Sequence, residues 1–215
     1  MFPRKEFKEY IEEVSRELRG APRRGLKSLI GGLDVIAMAY SAAPERQFLL
    51  EYLQNAIDAR ATAFYVKVDI GKIIIANNGV PFSKDDVDAI CGIACSRKKP
   101  EEGLIGFIGI GAKSAFLLGK RLEIHSGEYH FAFDKDFWEE DMPWQILPIP
   151  TKCYDEQCIY VNEKYKTVFV LEKFHKGEII GNLSDIMFNP RNPFFIDSRV
   201  LLFTHAYFKG KLTLL

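Results

Sequence analysis

The chain has 215 residues and a mass of 24.6 kDa, with enough apolar side chains for a substantial core in one large domain or two small ones. Its 29 lysines and arginines balance 29 aspartates and glutamates, which excludes a general nucleic-acid coat or an acidic-lipid binder and leaves open only a local basic patch. No apolar run approaches membrane-spanning length, and the opening Met-Phe-Pro-Arg-Lys-Glu-Phe lacks an apolar signal region, so a cytoplasmic protein without a membrane partner is expected.

In chain order, residues 4–19 place Phe7, Tyr10, Ile11, Val14 and Leu18 at helical spacing among charges, predicting an amphipathic helix. A second helix is expected over 26–41 and a third from Pro44 to about Arg60, with the proline near its first turn, where a missing N–H does no harm. Two strands, Ala63–Ile70 and Lys72–Ala76, meet at Gly71 as a hairpin. The turn cluster Asn77-Asn78-Gly79-Val80-Pro81-Phe82 follows, and Ser83 with Asp86 has the pattern of a cap on a helix running to about Ile93. Residues 96–104 are polar, a candidate lid, and lead into a glycine run and a helix over Ala112–Leu118. Strands are then expected at Arg121–Ser126, Tyr129–Phe133, Trp144–Pro148, Ile159–Val161 and Thr167–Leu171. A helix or loop over Leu183–Met187, an apolar piece from Val200 to Phe208 and a last strand or end piece, Lys211–Leu215, complete the pattern. The sum is a single α+β domain with a mostly antiparallel sheet. The four cysteines (Cys91, Cys95, Cys153, Cys158) are too few for a disulfide scaffold. The four-histidine set offers no ligand spacing to complete a metal site at Cys153 and Cys158, so free thiols are expected.

Two segments carry chemistry. Within the third helix Glu51, Asn55 and Asp58 fall at i, i+4 and i+7, so two carboxylates and an amide share a face beside Leu49, Leu50, Leu53, Ala56 and Ile57. Polar groups on the inner stripe of a packed helix face a ligand or a metal, because burying them unpaired costs roughly several kcal/mol. The run Gly106-Phe-Ile-Gly109-Ile-Gly111-Ala-Lys113-Ser114 lets backbone approach an anionic ligand closely, with a helix N-terminus behind it. It is not a P-loop: the lysine is one residue late and a charged segment precedes it. The glycine spacing also runs against a dinucleotide fingerprint.

These segments, with two others, resemble the boxes of the GHKL superfamily, which includes gyrase, the heat-shock-ninety chaperone, histidine kinases and MutL. Leu50-Glu51-x3-Asn55-x2-Asp58-Ala59 is similar to its N-box. Ile75-Ala-Asn77-Asn78-Gly79-Val-Pro81-Phe82 sits where the family has an Asp-x-Gly-x-Gly box. Ile105 to Phe116 resembles its second glycine box, and Tyr165-Lys-Thr167-Val-Phe-Val170 its late Gly-Thr strand. Order and spacing agree over about residues 30–171. The pattern Asn-Asn-Gly-x-Pro-Phe-Ser, Cys95-Ser96-Arg97-Lys98, and the tail from Asn189 to Phe203 most resemble the sacsin and NO VEIN branch.

The resemblance implies one ATP-binding domain over residues 1–215, with its core at about 26–171 and an extension over 172–215. Its fold would be the two-layer Bergerat sandwich, a mostly antiparallel sheet with helices on one face. ATP and Mg²⁺ would be its cofactors. Glu51 would be the general base acting on water, and Asn55 a Mg²⁺ ligand through its amide oxygen. Asp58 would order water near the adenine or brace the helix, or else make a surface salt bridge. Gly79 would let backbone approach the base and Phe82 would wall the pocket. Gly106, Gly109 and Gly111 would bring N–H groups to the phosphates. Lys98 and Lys113 are phosphate contacts or solvated charges. Thr167 bonds near the adenine or simply suits a strand. The chain departs from the family at Asn77, where an aspartate reads the adenine, and at Pro81, where the box has a glycine. The implied activity is a slow, Mg-dependent ATPase acting as a nucleotide-driven conformational switch, with a chaperone-like role among the uses the superfamily makes of such switches. The alternative is a non-hydrolysing nucleotide-sensing or protein-interaction module, and a kinase ranks below both for want of a phosphoacceptor helix. Expected partners are ATP or ADP, a protein client, and a second copy in a homodimer; nucleic acid is not indicated.

Overall fold

The computed structural model describes residues 5–21, 44–92, 111–152, 165–189, 191 and 211–214. The expected helix over 26–41, the lid at 96–104, the strand Ile159–Val161, the piece Val200–Phe208, and Cys95, Cys153 and Cys158 lie outside these residues. The described part holds four α-helices: α1 (Lys5–Gly20), α2 (Pro44–Asp58), α3 (Lys84–Cys91) and α4 (Ile179–Phe188). Its seven strands are β1 (Ala63–Asp69), β2 (Lys72–Asn77), β3 (Gly119–Ser126), β4 (Tyr129–Asp134), β5 (Ile149–Pro150), β6 (Thr167–Phe174) and β7 (Lys211–Leu214). They form one sheet in the order β5-β4-β3-β6-β2-β1-β7, antiparallel throughout except for the parallel pair β1–β7.

Strand alternation explains the two layers. Phe64 and Val66, Ile73 and Ile75, Leu122 and Ile124, Phe131 and Phe133, and Phe169 and Leu171 point to one face, where they pack with Ile11, Phe48, Tyr52, Val87 and Leu183 from the four helices. This is the expected α+β sandwich with helices on one face of a mostly antiparallel sheet. On the opposite face Tyr65, Ile74, Ala76, Val168 and Val170 form a second apolar cluster with Tyr165. Next to it, β3 and β4 carry a polar network. Arg121 pairs with Glu123 and, at 2.5 Å, with Asp134, while Lys173 reaches Asp134 and Asp136. The buried rings of His125 and His130 meet through their Nδ1 atoms at 3.2 Å, so one of them carries the proton of that bond.

Two expected elements differ. The helix over Ala112–Leu118 is a 3₁₀ helix, Gly111–Leu117. Two of its carbonyls are engaged by side chains, Gly111 by the Ser114 hydroxyl at 2.6 Å and Ala112 by the Tyr52 hydroxyl at 2.9 Å, which accords with the tighter turn. The strand Trp144–Pro148 is instead a 3₁₀ turn at Trp144–Ile146 followed by β5, because Trp144, Ile146 and Leu147 are all buried and do not alternate. The Ser83 cap is present in full: Ser83 N–H donates to Asp86 Oδ2 at 2.8 Å and Asp86 N–H to Ser83 Oγ at 3.3 Å.

Candidate functional site

Helix α2 carries the polar stripe and is held at both its middle and its end. Phe48, Leu49, Tyr52, Ala56 and Ile57 are buried, whereas Glu51, Asn55 and Asp58 are each half-buried along the margin of that apolar face. The Tyr52 hydroxyl, whose deprotonation burial strongly disfavours, ties the helix to the 3₁₀ segment through Ala112. At the C-terminus Ala61 N–H bonds to Ala56 O at 2.9 Å and Arg60 N–H to Ile57 O at 2.8 Å, the paired bonds of a Schellman end, with Arg60 left-handed at φ 58°. That end presents Ala59 to the turn after β2. Val80 N–H donates to Ala59 O at 2.7 Å, and a Cβ on Gly79 would lie 2.6 Å from the same oxygen. Gly79 is thus a glycine because the backbone of α2 lies against it.

Asparagines 77 and 78 divide the work of this turn. Asn78 Oδ1 accepts from the N–H groups of Thr62 and Ala63, both at 2.8 Å, stapling the turn to the start of β1. Asn77, 4% exposed, accepts from Gly79 N–H at 3.0 Å through Oδ1. It pairs in register with Thr167, which in turn pairs with Ser126, so three polar side chains line the helix-side face across the ends of β2, β6 and β3. Thr167 and Ser126 are buried and share a hydrogen bond of 2.6 Å between their hydroxyls. Phe82 N–H donates to Ser126 Oγ at 2.9 Å, and the Phe82 ring meets Phe169 edge-on at 6.2 Å between centroids.

The glycine box meets the helix stripe at Gly111. A Cβ there would fall 2.1 Å from Glu51 Oε2, so the absence of a side chain makes room for the carboxylate. Its other oxygen, Oε1, accepts from Gln47 Nε2 at 2.6 Å, one turn earlier on α2. Segments 60 residues apart in sequence therefore hold one carboxylate between them.

Of the expected site residues, Glu51 and Gly111 are in contact, Asn77, Gly79, Phe82 and Thr167 gather at the strand ends, and Asn55 and Asp58 follow Glu51 along α2, each half-buried. Lys98, Gly106 and Gly109 lie outside the described residues. Lys113 departs from the solvated-charge expectation: it is 2% exposed and its ammonium donates to Ile90 O at 2.8 Å, at the end of α3. It is therefore not a solvated charge; the bond to Ile90 uses one of the three N–H donors of its ammonium. Cys91 beside it is a free, buried thiol whose pKa burial pushes up to about 12. Gln47 and Ser126 were not singled out from the sequence. Gln47 stands at i−4 from Glu51, and Ser126 is the polar end of the alternation Leu122, Ile124, Ser126; either spacing could have drawn attention to them.

The donor set suits a magnesium nucleotide. It combines a carboxylate and an amide on one helix face, a hydroxyl pair and a buried amide at the strand ends, and a glycine cleared for close approach. Among the described residues no group of three or more His, Cys, Asp or Glu side chains converges to cage a metal, so a Mg²⁺ here would draw its remaining oxygens from phosphate and water. No helix among the described residues is long and apolar enough to cross a membrane.

Comparison with known proteins agrees. Residues 44–165 match the family of histidine kinase-, DNA gyrase B- and HSP90-like ATPases. Over 96 residues, 42% of this chain, the sequence is 36% identical to the Protein NO VEIN of Arabidopsis thaliana, of whose length the match spans only 4%. With the family match extending over more than half of its length and the strand-end and helix-stripe residues assembled as described, the chain belongs to the histidine kinase-, DNA gyrase B- and HSP90-like ATPases.

Proposed function

We propose that this domain binds ATP with Mg²⁺ and hydrolyses it slowly, using the cycle as a conformational switch for a protein partner. The observation that carries the proposal is the seating of the Glu51 carboxylate between Gln47 and Gly111, which joins the helix stripe to the glycine box. A carboxylate held in this way is positioned to orient water and accept its proton. Asn55, one turn along, would hold the metal through its amide oxygen, with Asp58 further toward the base end. Bound Mg²⁺ would neutralise charge developing on the phosphate oxygens. Gly111, with Gly106 and Gly109, would supply backbone N–H groups to the phosphates, and Asn77, Thr167 and Phe82 would surround the base.

The test pairs titration calorimetry with a phosphate-release assay on the purified chain. Wild type should bind ATP in the presence of Mg²⁺ and release phosphate. Glu51→Ala should retain binding and lose turnover. Undiminished turnover in that variant would remove Glu51 from the role of base.

A further inference from the structure

The base position has a feature that bears on which purine it takes, and the inference from it rests on the nucleotide-site reading above. Asn77 stands on the helix-side face at the end of β2, beside Thr167, and is 4% exposed. Its Oδ1 accepts from Gly79 N–H at 3.0 Å. An N–H group can be met only by the carbonyl end of a carboxamide, so this bond fixes which way round the side chain sits. The Nδ2 amino group is thereby turned away from Gly79, and no partner for it is found among the described residues. The neighbouring hydroxyls of Ser126 and Thr167 are bonded to each other at 2.6 Å. A buried donor without an acceptor is costly, and the obvious source of an acceptor is the ligand that occupies the site.

We infer that this site takes a 6-oxopurine nucleoside triphosphate, whose base carries a carbonyl at carbon 6, at least as well as it takes ATP. A 6-oxo group accepts from Nδ2 while Oδ1 keeps its bond to Gly79, and both ends of the carboxamide are then paired. The exocyclic amine of adenine is itself a donor. It would have to share Oδ1 with Gly79 N–H and would leave Nδ2 unpaired in a buried position. An aspartate at this position reverses the balance: one oxygen accepts from Gly79 and the other from the amine, while an oxo group meets a carboxylate with no donor. An orphaned buried group of this kind changes affinity by about ten-fold or more. Pro81 and the bond from Val80 N–H to Ala59 hold the turn that fixes the Asn77 geometry, so the carboxamide has little freedom to reverse.

The experiment is titration calorimetry of the whole chain with Mg²⁺ and either ATP or inosine triphosphate, whose bases differ at carbon 6 and in the proton on N1. The expected result is a dissociation constant for inosine triphosphate equal to or below that for ATP. Asn77→Asp should shift the ratio toward ATP by about ten-fold or more. Wild type binding ATP more than about ten-fold tighter than inosine triphosphate would overturn the inference while leaving the nucleotide site standing, and so would an unchanged ratio in a folded Asn77→Asp variant. Should that variant not fold, the wild-type ratio alone decides. Binding of neither triphosphate would overturn the nucleotide-site reading itself, and this inference with it.

Discussion

Gly111→Ala tests the proposed base through a single methyl group. The added Cβ would lie 2.1 Å from Glu51 Oε2 and 2.9 Å from Cδ, where ordinary contact begins near 3.4 Å, so the carboxylate must withdraw and in doing so strain or lose its bond from Gln47. A retreat of about 1 Å by a reacting group costs on the order of 100-fold in rate, equivalent to about 2.7 kcal/mol on the barrier. The fold should change little: the closest atoms are the far end of a flexible side chain, Glu51 Cβ at 3.3 Å has only to give by a few tenths of an ångström, and Gly111 does not occupy the left-handed region. Replacing glycine by alanine also stiffens the unfolded chain, which favours folding by about 0.4–1 kcal/mol. Phosphate release should therefore fall about 100-fold while nucleotide binding and thermal stability stay close to wild type. In a Glu51→Ala background the same substitution should add nothing, since both act on one group. Turnover within about three-fold of wild type, or full additivity with Glu51→Ala, would refute the assignment.

Other substitutions separate the scaffold from the chemistry. Gly79→Ala places a Cβ 2.6 Å from Ala59 O and 2.8 Å from Ala59 Cβ, neither of which can swing aside, so urea unfolding should show a loss of about 1–3 kcal/mol. Arg60→Gly relieves the left-handed backbone at φ 58° and should raise stability by about 0.5–1 kcal/mol in the same assay. His130 supplies a pH signature. Burial, and after it the adjacent His125, lowers its pKa from 6.5 to about 4, so between those values the unfolded chain binds the proton that the folded one refuses. Stability from this group is complete above pH 6.5 and is lost as pH falls toward 4; melting curves at pH 7 and 5 should show the decline, and His130→Gln should flatten it.

The sheet was legible because its strands alternate against one helical layer: β1 and β2 lie within one residue of their expected bounds, and the Ser83 cap holds as its spacing predicted. The pattern failed where local preference yields to distant partners. Nothing near residue 112 announces that a tyrosine hydroxyl from α2 will take its carbonyl, and the α-helix expected there is a 3₁₀ helix. Likewise, Lys113 could be read as a surface charge until α3 supplies the Ile90 carbonyl that receives it in the interior. The stripe Glu51, Asn55, Asp58 was visible because helical spacing is local. Its contact with Gly111 was implied only by the order of the boxes, and the Ser126–Thr167 pair depended on strand register, which no single strand reveals.

The parallel pairing of β7 with β1 sets an order on synthesis. Residues 63–66 of β1 are paired on one edge by the neighbouring hairpin strand as soon as it emerges, but their other edge waits for residues 211–214. During translation the growing domain therefore carries an open row of backbone donors and acceptors flanked by Phe64, Tyr65 and Val66, a template for another strand. Translation pausing upstream of residue 211, or a truncation that removes it, should leave a protein prone to sticking edge to edge even though every residue of the candidate site has already been made.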